Sequence, residues 1–385
     1  MKRRKICVVV TARPSYARIK SALRHIQAHP DLELQLVVAA SALLDRYGSA
    51  VAYIEQDGFD IAARVYMVLE GGNLTTMAKT TGLGIIELAT AFDNLKPDVV
   101  VTIADRYETL ATALAAAYAN IPVVHVQGGE VSGSIDEKVR HAVTKLSDIH
   151  FVANQQAADR VIRMGEHSDR VFVTGCPSID LAAEVLQNAE LDFDPCERFG
   201  GVGPRVDTRE DYLIVMQHPV TTEYEDAQHH VQETLHAVLE LGIPTLWFWP
   251  NGDAGSDGTS KGIRIFREEH HEIPIHFFRH MGPEEFLRVA YHSRCLVGNS
   301  SVGIRECSFL GIPTVNIGSR QTGRDRAGNV IDVDYNRGAI VEAVRKHLAN
   351  GRYHSDSLYG DGSSGGRIAQ RLVSVPLTIE KRLTY

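Results

Sequence analysis

Short runs of β-branched residues alternate along this chain with longer stretches in which apolar positions recur every three or four residues. That is the pattern of a parallel sheet with helical crossovers. In the first half, ICVVV (6–10), LQLVV (34–38), DVVVTI (98–103), IPVVHV (121–126), IHFV (149–152) and RVFVTG (170–175) predict strands. Helical period predicts helices over 16–28, 87–95, 106–118, 135–146 and 154–164. A second series of strands follows in YLIVMQH (212–218), IPTLWFW (243–249), IPIHFF (273–278), RCLVG (294–298) and IPTVNIG (312–318), again with helices between. The expected fold class is α/β, with two doubly wound Rossmann-like domains.

Between the two series, residues 187–211 are rich in Gly, Pro and charge, and neither period survives there. The predicted organisation is an N-terminal domain over 1–186, a linker over 187–211, a C-terminal domain over 212–365, and a C-terminal helix over 366–385 that packs back on the first domain. A length of 385 residues agrees with two cores, since domains run to about 100–200 residues. Two such domains facing each other gather the carboxyl ends of both sheets around one cleft, where open parallel sheets bind ligands.

Composition narrows the ligand. A hydrophobic fraction of 44% and a charged fraction of 23% describe a globular chain able to bury sizeable cores. The net charge of −8 argues against nucleic acid as a partner and leaves room only for a local basic pocket. Five scattered cysteines without a CxxC pair fit reduced thiols in a cytoplasmic protein. The basic start MKRRK is followed by too short an apolar run for a signal peptide, and no stretch approaches the ~20 apolar residues of a membrane span.

Candidate chemistry sits at strand ends. Arg13, in TARPSY, follows the first strand and is either an anion ligand or a surface arginine. Asp105 and Arg106 follow the third run, where Asp105 either acts as a general base or caps a helix. The loop HVQGGEVSGSIDEKVR brings His125, Gln127 and Glu130 beside Gly128, Gly129 and Gly133. Ser134 and Glu137 form a capping-box pattern, which starts a helix near Ile135 with Asp136 in its first turn. Asp136 and Arg140, four apart, form either an ion pair or part of a site.

In the second half, His218 ends a strand before Pro219, and Asn251, Asp253 and Ser256 follow another. The motif GNSSVGIRE places Asn299, Ser300 and Ser301 between a strand and a helix whose free backbone N–H groups suit a diphosphate, with Glu306 placed to accept from ribose hydroxyls and Arg320 and Arg324 adding positive charge. No GxGxxG is present, which argues against a nicotinamide cofactor. FREEHHE lacks the i, i+4 histidines of a zinc helix, so neither metal nor organic cofactor is expected.

Taken together, ADRYETLATA, GGEVSGSIDEKVRHAVTKL, GCPSIDLA, QHPVTTE, PNGDAGS, GNSSVGIRE and GSRQTGR resemble the hydrolysing UDP-N-acetylglucosamine 2-epimerases in order and spacing, from Arg13 to about Tyr359. The resemblance implies a GT-B-type fold and conversion of a UDP-2-acetamido sugar, first of all UDP-N-acetylglucosamine, with water to UDP and the free C2-epimer, N-acetylmannosamine. The family route is elimination to a glycal followed by rehydration, in amino-sugar and sialic acid metabolism. It places Arg13, Arg106, His218, Asn251, His280, Ser300, Ser301, Glu306 and Arg320 at UDP-binding positions, and Asp105 and Asp136 at catalytic ones. It also implies a homodimer or homotetramer.

One residue departs from the family pattern. Many members carry a carboxylate where this chain has Gln127, which holds hydrogen bonds but exchanges no proton at neutral pH. Relatives acting on diacetamido-bacillosamine nucleotides carry histidine there, so a UDP-2,4-diacetamido sugar is the alternative substrate, with Glu130 or His125 as substitute proton carriers. A non-hydrolysing 2-epimerase, a glycosyltransferase of the same fold and an inactive UDP-sugar sensor are the other readings open at this level.

Overall fold

The computed structural model describes residues 3–45, 48–71, 73–132, 135–250, 255–270 and 272–384. The chain divides into two units. The first comprises Met1–Glu130, Ile135–Asp180 and Tyr359–Tyr385, the second Val131–Ser134 and Leu181–Leu358.

The first unit is a seven-stranded parallel sheet of β1 (Arg4–Val10), β2 (Leu32–Ala39), β3 (Ile61–Val65), β4 (Val99–Ile103), β5 (Val123–Val126), β6 (Ile149–Val152) and β7 (Val171–Val173). Its order is β3-β2-β1-β4-β5-β6-β7. The topological switch point therefore lies between β1 and β4, whose carboxyl ends lead directly into Arg13 and Asp105. Core residues on both faces of the sheet are apolar, as expected where helices cover both sides: Val8, Val10, Val99 and Val101 face one cluster, while Cys7, Val9 and Val100 face the other.

The second unit repeats the plan with β8 (Leu213–Met216), β9 (Thr245–Phe248), β10 (Ile275–Phe278), β11 (Cys295–Gly298), β12 (Thr314–Ile317) and β13 (Val330–Val333). The order is β10-β9-β8-β11-β12-β13, so the switch point falls between β8 and β11, at His218 and Asn299. Two doubly wound α/β units are thus observed.

Several elements differ from expectation. Strands β3 and β13 have no predicted counterpart, because IAARV and VIDV are short, half-exposed edge strands without a continuous apolar run. The helix predicted over 87–95 extends over Leu74–Leu95 and starts at a capping box between Asn73 and Thr76. Threonines and two glycines obscure its first half in the sequence. Gly84 is present because the helix runs close there: a Cβ would overlap Met67 and press on Ala111.

The segment 187–211 is folded onto the second unit rather than left as an open linker. Its helix Pro195–Phe199 is capped by the Asp194 carboxylate, and Cys196 and Val206 are buried in the same core as Leu246 and Phe278. The chain leaves the first unit earlier, at Asp180. That side chain accepts from Ser21 Oγ (2.6 Å) and from the backbone N–H groups of Ser364 (2.9 Å) and Gly365 (2.7 Å), which caps the helix Ser364–Ser374 from a distance in sequence. Ile368 and Leu372 of that helix complete the first core. Among the described residues, no helix is long and apolar enough to cross a membrane.

Candidate active site

At the switch point of the first sheet, Asp105 is 5% exposed and salt-bridged to two guanidiniums. Arg140, itself 1% exposed, pairs with Asp105 Oδ2, and Arg18 reaches Oδ1 at 3.4 Å. Arg140 also donates to the Glu130 carbonyl (2.6 Å) and, within its own helix, to Glu137 (3.3 Å). One buried arginine therefore ties the end of β4, the glycine loop after β5 and the helix Ile135–Leu146 into a single polar assembly.

Ala104, just before Asp105, takes a left-handed backbone (φ 63°), a conformation that costs about 1–3 kcal/mol for a residue with a Cβ. Its carbonyl accepts from His125 Nε2 (2.8 Å), while His125 Nδ1 faces Thr144 Oγ1 (3.1 Å). Burial pushes the His125 imidazole down to about 3, opposed by the bond to Ala104. The ring is thus neutral, with Nε2 as donor and Nδ1 as acceptor. In this arrangement His125 braces the strand end. Gly128 lies beneath the ring, where a Cβ would come to 2.9 Å of Nδ1.

Around this centre, Gln127 and Glu130 are both buried. Gln127 also has a left-handed backbone (φ 68°), and its Nε2 donates to Cys176 Sγ at 2.7 Å. Asp136 is half-buried in the first turn of its helix, while the predicted cap Ser134, with Gly133, lies outside the described residues. Arg106 makes a two-pronged pair with Glu108 (3.2 and 3.1 Å), a carboxylate with no exposure. Arg13 is half-buried and begins the short helix Arg13–Ala17, with Pro14 at its first turn.

In the second unit, Asn299 is fully buried and clamps the His218 backbone, accepting from its N–H (2.7 Å) and donating to its carbonyl (2.8 Å). Asn299 is thereby a scaffold for the β8 end. Its own carbonyl receives Gln321 Nε2 (2.9 Å) and Arg320 Nη1 (3.2 Å), which draws the arginine towards the same strand end. Ser300 caps a single 3-10 turn over Ser301–Gly303, accepting from Val302 N–H at 3.4 Å. The buried Ser301 hydroxyl receives Arg305 Nη2 at 3.0 Å, and the same guanidinium lies 3.8 Å from buried Glu306. The helix expected directly after the serines begins only at Glu306 and ends at Leu310.

His280 is half-buried after β10, and Ser256 opens the helix Ser256–Glu269. Asn251 and Asp253 lie outside the described residues. In the run FREEHHE, His270 hydrogen-bonds the Phe266 carbonyl (3.1 Å) and stacks on its ring, and His271 is outside the described residues.

Five side chains at these edges were not singled out from the sequence: Arg18, Glu108, Cys176, Glu223 and Tyr335. Glu223 hydrogen-bonds Ser319, and Tyr335 stacks flat on His230 (3.6 Å between centroids) over Gly318, where a Cβ would overlap the phenol. Burial, together with the Glu223 charge, raises the Tyr335 phenol well above its ordinary value. The signals available were the motifs ADRYETLATA, GCPSIDLA and QHPVTTE, which contain Glu108, Cys176 and Glu223, and the Gly-Ser-Arg after a strand at Gly318.

The family described as UDP-N-acetylglucosamine 2-epimerase matches residues 24–373 of this chain. A protein of Legionella pneumophila, UDP-N,N'-diacetylbacillosamine 2-epimerase (hydrolyzing), is 34% identical over 375 residues, covering 97% of either chain. UDP-N-acetylglucosamine 2-epimerase of Neisseria meningitidis is 30% identical over 363 residues, 94% of this chain and 92% of that one. In fold, the chain is similar to the Methanocaldococcus jannaschii UDP-GlcNAc 2-epimerase crystallised with UDP-GlcNAc and UDP, with a TM-score of 0.80 at 20% identity over 96% of this chain and 99% of the other.

Proposed function

We propose that this chain, which belongs to the UDP-N-acetylglucosamine 2-epimerase family, is a hydrolysing 2-epimerase that converts a UDP-2-acetamido sugar and water to UDP and the free C2-epimer. The observation that carries this reading is the Asp105 carboxylate, buried at a sheet switch point and salt-bridged to Arg18 and Arg140. It is a proton acceptor held in one place by groups that do not themselves give up a proton at neutral pH.

In the proposed reaction, one of Asp105 and Asp136 takes the C2 proton. The electron pair of that C–H bond forms a C1=C2 double bond as the bond from C1 to the UDP oxygen breaks. Water then adds its hydroxyl to C1, and a proton returns to C2 on the opposite face, which gives the free epimer. His218, His280, Ser301, Glu306 and Arg320 of the second unit are the proposed contacts to UDP.

Two observations favour a UDP-2,4-diacetamido sugar: the Legionella relative of that specificity is the more similar of the two curated proteins, and Gln127 offers no carboxylate. UDP-N-acetylglucosamine is the second reading, favoured by the Neisseria relative. Incubation with each sugar in deuterium oxide, followed by NMR, tests both. One deuterium at C2 of a free sugar, released with one equivalent of UDP, is expected. A product that keeps UDP would refute hydrolysis, and turnover of only one sugar would settle the substrate.

A further inference from the structure

We infer that Cys176 is a positioning residue for this reaction, its thiol fixing the Gln127 carboxamide at the carboxyl end of β5. The inference rests on the epimerase reading above. Gln127 is 1% exposed, its backbone is left-handed, and its N–H is committed to the Phe151 carbonyl (2.8 Å). From that buried position its Nε2 meets Cys176 Sγ at 2.7 Å.

The thiol is itself held. It lies 2.9 Å from Ser178 Oγ, and Ser178 is 2% exposed. The Cys176 N–H donates to the Tyr359 carbonyl (2.7 Å), and its carbonyl accepts from Ile179 N–H (2.9 Å). The neighbouring Gly175 is also left-handed, and a Cβ there would overlap Ser364. A sulfur can both accept from the carboxamide N–H and donate its own proton to the serine oxygen. The row Gln127, Cys176, Ser178 then runs from the end of β5 to the first turn of the helix Pro177–Gln187 that follows β7, at the sheet edge that carries Asp105. A cysteine serving only as core filler would meet carbon, whereas this one meets two polar side chains at a strand end.

The consequence concerns the chemical step. With the thiol removed, the carboxamide loses a fixed partner and turns, and misplacement by about 1 Å beside a reacting centre costs up to about 10²-fold in rate. Cys176→Ala is expected to lower kcat about tenfold and leave the Kd for UDP within twofold. Cys176→Ser, which keeps one donor and one acceptor, should recover turnover to within threefold of the parent.

The test is a double-mutant cycle on kcat with Gln127→Ala, with thermal melting and UDP binding recorded for each variant. If the thiol acts through the carboxamide, Cys176→Ala costs little further in a chain that already carries Gln127→Ala. Additive losses in the double variant, or a Cys176→Ala chain that turns over within twofold of the parent, would overturn the inference. So would a Cys176→Ser chain that melts normally and is as slow as the alanine variant. A parent chain that releases no UDP from any UDP-2-acetamido sugar would instead overturn the epimerase reading, and this inference with it.

Discussion

Asn299 holds the backbone of His218 at both ends, accepting from its N–H and donating to its carbonyl. The two residues lie 81 positions apart and meet where the strand order of the second sheet reverses. The clamp joins β8 to β11 just beyond their last paired residues, so the orientation of His218 depends on a neighbour with no exposed surface. Asn299→Ala leaves a buried N–H and a buried carbonyl without this partner, at about 1–3 kcal/mol each. A loss of about 2–6 kcal/mol in urea unfolding and at least tenfold weaker UDP binding by calorimetry are expected. Unchanged UDP affinity would show that the clamp is remote from the nucleotide.

Asp105→Asn and Asp136→Asn are each expected to lower kcat by about 10²–10⁴, the usual range for a positioned acid or base, with little change in UDP affinity. Quenched-flow turnover alongside UDP titration separates the two effects. Near-normal turnover in both variants would dismiss these carboxylates and turn attention to Glu130.

Arg140→Met should unfold the first unit more readily than any exposed substitution. It removes one guanidinium from a buried carboxylate that Arg18 reaches only at 3.4 Å. Breaking a buried pair on one side costs about 3–5 kcal/mol, read from the denaturation midpoint. Asp105→Asn in the same background should restore part of that stability, since it removes a buried charge that no longer has Arg140 beside it.

A pH dependence follows from His276. Both of its ring nitrogens face carbonyl oxygens, Nε2 that of Gly200 (2.9 Å) and Nδ1 that of Pro204 (3.1 Å), and only the imidazolium can donate to both. Burial opposes the charge, but a hydrogen bond with the Cys196 side chain and the two carbonyls outweigh it and push His276 up to about 9. The folded chain then holds a proton that the unfolded chain has released, so this contribution is complete below about pH 6.5 and is lost as pH rises through 9. Between those values stability should fall by up to about 1.4 kcal/mol per pH unit, and His276→Gln should flatten the curve. Parallel curves for parent and variant would refute the assignment.

Opposite behaviour is expected at the C-terminal segment. Burial works to raise Glu166, but hydrogen bonds from His150 (3.0 Å), Lys145 (2.5 Å) and Lys381 (2.6 Å) prevail and hold its carboxyl down at about 2. That stabilisation is present above the ordinary carboxylate range and is lost as pH falls towards 2. Lys381→Met should therefore move the acid-unfolding midpoint upward. It should also speed proteolysis of residues 376–384, measured by mass spectrometry of limited digests.

Local pattern was enough to read the order of most strands, because a buried parallel strand is a short β-branched apolar run, too short for a helix and bounded by turn residues. The same pattern passed over β3 and β13, which lie half-exposed at sheet edges, and the first half of the helix Leu74–Leu95, where glycine and threonine serve close packing. Motif order was sufficient for the family, since joint spacing of several loops rarely arises without a common fold. Side-chain roles were another matter. His125, Gln127 and Glu130 are equivalent as letters in one loop, and only the buried neighbours Ala104, Thr144 and Cys176 turn the first into a neutral brace and tie the second to a thiol. Arg140 lies 35 residues from Asp105, and Asn299 lies 81 from His218. Contacts of that separation leave no trace in local spacing, because sheet order, rather than distance along the chain, brings strand ends together.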